Sequence, residues 1–200
     1  MAIEWHVAQG LSNPYATTRR DGYGYFGTPT SLFDGADAYV GNVNVEAEYR
    51  SRLQARLAVG APLSVEARAT LAGTGDRASV EVTVTRAPGE TVANPAECLV
   101  RVALFEEAVI HCCDAEGGMV FPHVGRLLTD GVALDFGTAG SQVLTEDLPL
   151  DPAWMTGNVK VVAFVQRTTD KEVLNASPAV VLQPSAVESL SWGRIKALHR

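Results

Sequence analysis

The chain reads as an α+β protein, with a short α/β segment at its N-terminus followed by an all-β sandwich. Three observations carry this reading. Val45, Tyr49, Leu53 and Leu57 recur every four residues between Asn44 and Val59, which places them on one face of a helix. Gly60-Ala61-Pro62 then interrupts the chain, and beyond it the apolar period changes to two, the period of strands with one buried face. From Leu63 to Leu182 that pattern recurs in short runs separated by turn residues, as two packed sheets require.

The N-terminal elements follow from local signals. Ile3, Trp5 and Val7 alternate with Glu4 and His6, so Ile3 to Ala8 is expected to be a strand. Asn13-Pro14 is a helix start, since asparagine caps and proline suits the first helical position. The helix should run through Tyr15 to Tyr23, with Arg19 and Arg20 solvated, and end at Gly22 and Gly24. Gly27-Thr28-Pro29-Thr30 is a break before Ser31-Leu32-Phe33. Asp34-Gly35 is a hairpin turn before a strand from Ala36 to Val40. The helix over 44–59 carries Glu46 and Glu48 in its first turns and Arg50, Arg52 and Arg56 beyond them, which suits the helix dipole.

Taken in order, strand, helix, Pro-containing loop, hairpin and helix form the second half of a thioredoxin-type fold. The string His6, Asn13-Pro14, Arg19/Arg20, Tyr23-Gly24-Tyr25-Phe26-Gly27-Thr28-Pro29-Thr30 and Phe33-Asp34-Gly35 resembles bacterial thioredoxin-like proteins of the Omp28-related group. The resemblance implies that Pro29 is a cis proline, a state found in only ~5–6% of X-Pro bonds in folded proteins. It implies that the Thr28 backbone faces a substrate peptide, so a protein or peptide partner is expected at the Thr28-Pro29 loop or on the sandwich. It also implies an envelope or periplasmic location, although Met1-Ala2-Ile3-Glu4-Trp5-His6 lacks the basic and apolar regions of a signal peptide.

A thioredoxin-type enzyme needs a Cys-x-x-Cys at a helix N-terminus, where the helix dipole lowers the first thiol's pKa. The chain has three cysteines, Cys98, Cys112 and Cys113, and none forms that motif. The pair would precede Ile3. Either the chain is truncated ahead of its redox half, which is the favoured expectation, or that half has been lost. By itself the chain is expected to be non-catalytic, and only a longer product would be a thiol–disulfide oxidoreductase.

Residues 60–185 are expected to form the sandwich, immunoglobulin-like or fibronectin-like in kind. Leu63 to Leu71 and Val80 to Val84 alternate cleanly, and Cys98, Val100, Val102 and Leu104 share one face. Later strands are expected over His123–Leu128, Ala133–Phe136, Gln142–Leu148, Asn158–Arg167 and Glu172–Leu182, with one core face per strand. This part also resembles the module that follows the thioredoxin-like part in the same bacterial proteins. The residues that carry the likeness are Phe105-Glu106-Glu107, Val124-Gly125-Arg126, Trp154, Asn158 to Gln166 and Lys171 to Ala176. Residues 186–200 are a tail, with a short basic helix possible over Ser189–Arg200.

The remaining constellations favour plain readings. His111-Cys112-Cys113 with His123 invites a zinc or copper site, but adjacent cysteines point to opposite sides of a strand and the Cys-x₂₋₄-Cys spacing is missing. Cys98 reads as a small core residue. Glu106-Glu107 and Asp114-Ala115-Glu116 read as solvated acids near a loop, and Glu146, Asp147 and Asp151 lack the spacing of a calcium loop. Gly22, Gly24 and Gly27 match a dinucleotide fingerprint formally, but they follow a helix and lead into a Pro loop. Asn175-Ala176-Ser177 reads as strand. No metal and no cofactor is expected. The net charge of −7 disfavours nucleic acid, and no apolar run reaches the ~18–20 residues that span a bilayer.

Overall fold

The computed structural model describes residues 3–6, 11–24, 27, 29–112 and 118–182. Helix α1 spans Pro14–Tyr23. Asn13 is extended, and its side-chain oxygen accepts the Ala16 N–H at 2.9 Å. Gly24, in the left-handed region at φ 69°, closes the helix. Strands β1 (Thr30–Phe33) and β2 (Asp37–Val40) form an antiparallel hairpin with Phe33 opposite Asp37. Asp34 and Gly35 both take positive φ in its turn, as the Asp-Gly signal requires. Helix α2 spans Val45–Leu57.

The sandwich follows. Its strands are β3 (Leu63–Leu71), β4 (Arg77–Arg86), β5 (Cys98–Cys112), β6 (Gly118–Leu128), β7 (Val132–Ala133), β8 (Ser141–Pro149), β9 (Val159–Arg167) and β10 (Val173–Leu182). Hydrogen bonds run along the order β6-β5-β9-β10-β3-β4-β8, with β7 beside β5. All pairs are antiparallel except β10 with β3, which meet in parallel at Val181 and Leu182. The strip folds over there without closing, its ends being β6 and β8, and β3 and β4 pack their inward side chains against those of β5 and β9. Val65, Val80, Val82, Val84, Val100, Val102, Leu104, Val161 and Val165 belong to that one core. Cys98 lies in it, fully buried, and burial pushes its thiol pKa up.

Several expectations change. The stretch Ile3–His6 makes only an isolated parallel bridge, Glu4 to Val124 of β6, and does not join the β1–β2 hairpin; Val7 and Ala8 lie outside the described residues. Strand β7 stops at Ala133, although Leu134 and Phe136 still enter the core. Strands β5 and β6 are longer than expected, so Glu106 and Glu107 sit on strand rather than near a loop, and β5 carries His111 as well. Strand β9 has two buried faces: Val161, Ala163 and Val165 face the main core, while Val162 and Phe164 join a second cluster with Ala103, Phe105 and Leu128. Its unbroken run Val161 to Val165 is the signature of a strand covered on both sides. Helix α2 has no buried residue. Tyr49 packs against Phe33 and Tyr39, but Leu53 is half exposed and Leu57 is 84% exposed, so the four-residue stripe has no partner beyond Tyr49 among the described residues.

Candidate functional site

The N-terminal segment covers the second cluster of the sandwich, and this joint gathers most of the unusual side chains in the molecule. Ile3 and Trp5 pack on the face formed by Phe105, Leu128, Val162 and Phe164. Trp5 lies on Gly125, where a Cβ would stand 2.7 Å from the ring. A glycine in the middle of β6 is therefore explained by a close approach rather than by strand geometry. Asn13 caps α1 with its oxygen while its Nδ2 donates to the Gly125 carbonyl at 2.8 Å.

Arg19 is the centre of the joint, not a solvated residue. Its guanidinium carbon lies 5.6 Å from the Trp5 ring, 5.3 Å from Tyr23 and 5.8 Å from Phe164, distances at which a cation is held by ring faces. Burial pushes its pKa below the ordinary arginine value, and the neighbouring Tyr23 opposes that shift. Nη2 donates to the Tyr23 hydroxyl at 3.2 Å. Gln166, buried at the end of β9, donates to the same hydroxyl at 2.6 Å and to the Lys171 carbonyl at 2.7 Å. Both protons of its amide are thus used, as a buried polar group requires.

A second clamp holds the hairpin turn. The Val173 N–H donates to the Asp34 carbonyl at 2.7 Å. Gly35, at φ 69°, sits so close to the Lys171 carbonyl that a Cβ would collide with it. Arg56 of α2 donates to Glu172 at 2.6 Å and to Asp34 at 3.0 Å; the bond it gives to Glu172 is the main cause of its raised pKa.

In the middle of β5, next to Phe105, Glu106 is 4% exposed, which overturns its reading as a solvated acid. Arg126 donates to one of its oxygens through Nε at 3.0 Å and Nη2 at 2.7 Å, and the Met155 N–H donates to the other at 2.8 Å. The Arg126 guanidinium carbon lies 5.9 Å from the Trp154 ring. This carboxylate is fully occupied in structure and is not free for acid–base chemistry.

The sequence-derived loop stands away from both clamps. Thr28 lies outside the described residues. Pro29 is exposed, and its carbonyl accepts the Gly41 N–H at 2.9 Å. The turn of the hairpin is fastened to the sandwich while Pro29 adjoins the opposite, open end, about 10–13 Å away along four strand residues. His123 lies beside Glu107 at 4.0 Å and near the Phe105 ring. Cys113 and the 114–116 acids lie outside the described residues, and among those described no three His, Cys, Asp or Glu side chains are grouped to hold a metal ion. Asp151 accepts the Ala153 N–H at 2.8 Å, a turn contact. Sequence reasoning picked out Gly125, Gln166 and Lys171 as pattern residues without their role. The signal was there in a glycine and a glutamine set within apolar strands.

Fold and joint together define an α+β protein in which a small helical and hairpin segment is fastened to the outer face of a β-sandwich. The same fold is seen in HBP35 of Porphyromonas gingivalis, with a TM-score of 0.69 and 17% identity over 89% of this chain. This chain spans 62% of the length of that one. A domain of the outer membrane lipoprotein Omp28 from the same bacterium also matches, at a TM-score of 0.42 and 22% identity, covering 62% of this chain and 92% of the domain; so remote a likeness adds nothing to the fold. No protein-family model matches the chain, and no curated protein does.

Proposed function

We propose that this chain is the C-terminal portion of a bacterial thioredoxin-like envelope protein of the Omp28-related group, and that it acts as a non-catalytic interaction or positioning module. The sandwich, which we read as immunoglobulin-like, would serve as the platform. The observation that carries the proposal is the way the hairpin is held. Asp34 and Gly35 fasten its turn to β10 and the β9–β10 turn, while Pro29 and the exposed Val40 at the open end are left accessible. The Thr28-Pro29 loop is then the expected contact for a protein or peptide partner. The shared fold with HBP35 and the residue pattern around Pro29 support the reading. No described helix is long and apolar enough to cross a membrane.

The chain beginning at Met1 should not reduce insulin disulfides faster than the uncatalysed reaction with the same thiol reductant. A catalytic rate would refute the proposal. Cell fractionation of the native host, followed with an antibody, should place the protein in the envelope fraction.

A second reading is favoured by the open side chains of α2. Leu53 and Leu57 lie on the helix stripe that Tyr49 begins, and a further layer of protein would cover them. In that reading the gene product is a thiol–disulfide oxidoreductase whose Cys-x-x-Cys lies upstream of Met1, with Thr28 and Pro29 shaping the substrate groove. In-frame translation of the DNA ahead of Met1 tests it. A Cys-x-x-Cys there supports the enzyme, and an immediate in-frame stop counts against it.

A further inference from the structure

Strands β5 and β6 run past the sandwich as a two-stranded arm. The pairs Glu107 with His123, Val109 with Phe121, Ile110 with Val120 and His111 with Met119 keep one register along it. Ala108, at φ 54°, and Pro122 opposite it drop out of the ladder. On its other side the only described backbone partner of β6 is Glu4, whose N–H donates to the His123 carbonyl and whose carbonyl accepts the Gly125 N–H, both at 2.7 Å; beside it the Asn13 side chain reaches the Gly125 carbonyl and the His6 ring packs edge-on to Phe121 at 4.9 Å. The backbone groups of His123 and Gly125 therefore face the outer edge, and by strand alternation so do those of Phe121 and Met119. Among the described residues nothing pairs with Phe121 or Met119 along that edge.

This edge is also apolar and uncharged. Ile110 is 73% exposed, Met119 58% and Val120 57%. Neither Ala108–Cys112 nor Gly118–Pro122 contains Lys, Arg, Asp or Glu. The strand at the opposite end of the sheet order, β8, carries Glu146, Asp147 and Pro149, the residue types that discourage edge pairing. In a molecule of net charge −7 two copies repel, but the paired strand segments of the arm add no like charges of their own, the nearest acids of the arm being Asp114 and Glu116 in the connection and Glu107 at its base.

We propose that the outer edge of β6 pairs with the same edge of a second copy, antiparallel about a two-fold axis at Val120. The geometry is self-complementary. Centring the axis there sets Met119 opposite the second copy's Phe121, and the reverse, so the four outward-facing residues exchange their N–H and C=O groups in full. The two Val120 side chains meet on one face, flanked by the two Ile110 side chains, and make an aliphatic strip across four strands. On the other face each Met119 sulfur lies against a Phe121 ring, a favourable contact. The interface is isologous and closes at a dimer.

The test is the oligomeric state of the full chain by sedimentation across a concentration series. The wild type should dimerise. Val120→Lys should leave a monomer with an unchanged far-UV spectrum, while Val143→Lys, at the exposed edge of β8, should leave the dimer intact. Val120→Cys adds a positive readout. Its two copies would face each other as a non-hydrogen-bonded pair, with Cα atoms about 4.5 Å apart, close enough for a disulfide. Met119→Cys would set its two Cα atoms on a diagonal of roughly 7–8 Å, beyond the Cα spacing a disulfide bridges. On non-reducing gels, cross-linked dimer above the wild-type level should therefore appear for Val120→Cys and not for Met119→Cys. A wild type that stays monomeric, a dimer that survives Val120→Lys, or a cross-link no stronger at position 120 than at 119 would each overturn the proposal.

Discussion

Leu104 and Leu57 are the same residue in opposite circumstances. Leu104 is completely buried between the two halves of the sandwich, while Leu57 stands 84% exposed on the last turn of α2. The contrast extends to the regions that hold them. The sandwich has a continuous core in which Val80, Val82, Val161 and Val165 have no exposed surface, each contributing about 1.5–3 kcal/mol of burial. The N-terminal segment has little core of its own. It is held by what it places on the sandwich: Trp5 on Gly125, Arg19 among three aromatic rings, and the hairpin turn against Lys171 and Val173. One region is stable by its own packing, and the other by attachment.

That difference can be broken at its strongest point first. Glu106→Gln takes the counter-charge from the mostly covered Arg126 at the buried end of this pair, and removing one partner of a buried pair costs up to about 3–5 kcal/mol; urea unfolding of the whole chain should show it. Leu104→Ala should cost about 2–5 kcal/mol in the same experiment. Gly35→Ala combines a positive φ with a collision at the Lys171 carbonyl, and a loss of about 1–3 kcal/mol is expected. This loss should be local. Hydrogen exchange should quicken over β1, β2 and α2 and stay unchanged over β4 and β9. Already in the wild type, protection should be weaker before Gly60 than after it; equal protection would mean that the segment and the sandwich unfold as one unit.

Smaller effects sharpen the picture. Burial tends to raise the Asp170 pKa, but hydrogen bonds from the Glu172 backbone N–H and from Arg167 outweigh it, so the folded carboxyl lies below its ordinary value. A depressed carboxyl stabilises the fold above its unfolded pKa, near ~3.9, and the contribution fades as pH falls through the lower folded value. Because Asp170 is half exposed, Asp170→Asn should remove no more than about 0.2–1 kcal/mol at neutral pH, read as a shift in urea midpoint that vanishes in acid. Leu57→Ala should move stability by less than about 0.5 kcal/mol. A larger loss would show that α2's outer stripe is covered in solution.

Local signals were legible where a residue's preference depends on its immediate neighbours. Asn13-Pro14 started α1, Asp34-Gly35 turned the hairpin, and the alternating valines of β3 and β4 found their faces. The joint was not legible, because its polar members look like surface residues until their partners are known. Arg19 and Glu106 belong to residue types usually in water, and only Trp5, Phe164 and Arg126, distant in the chain, take them out of it. The full length of the two longest strands is not legible in the sequence for a related reason: nothing local distinguishes an arm that continues past the core from one that stops with it.

By itself, then, the order of amino acids determined the periodicities, the caps and the turns, since these depend on backbone sterics and on contacts a few residues apart. Tertiary structure decided which polar groups are buried, that β9 is covered on both faces, and that the helix stripe over Tyr49 and Leu57 is largely uncovered. Those outcomes turn on which surfaces meet, and burial is a property of the pair of surfaces rather than of either sequence segment alone.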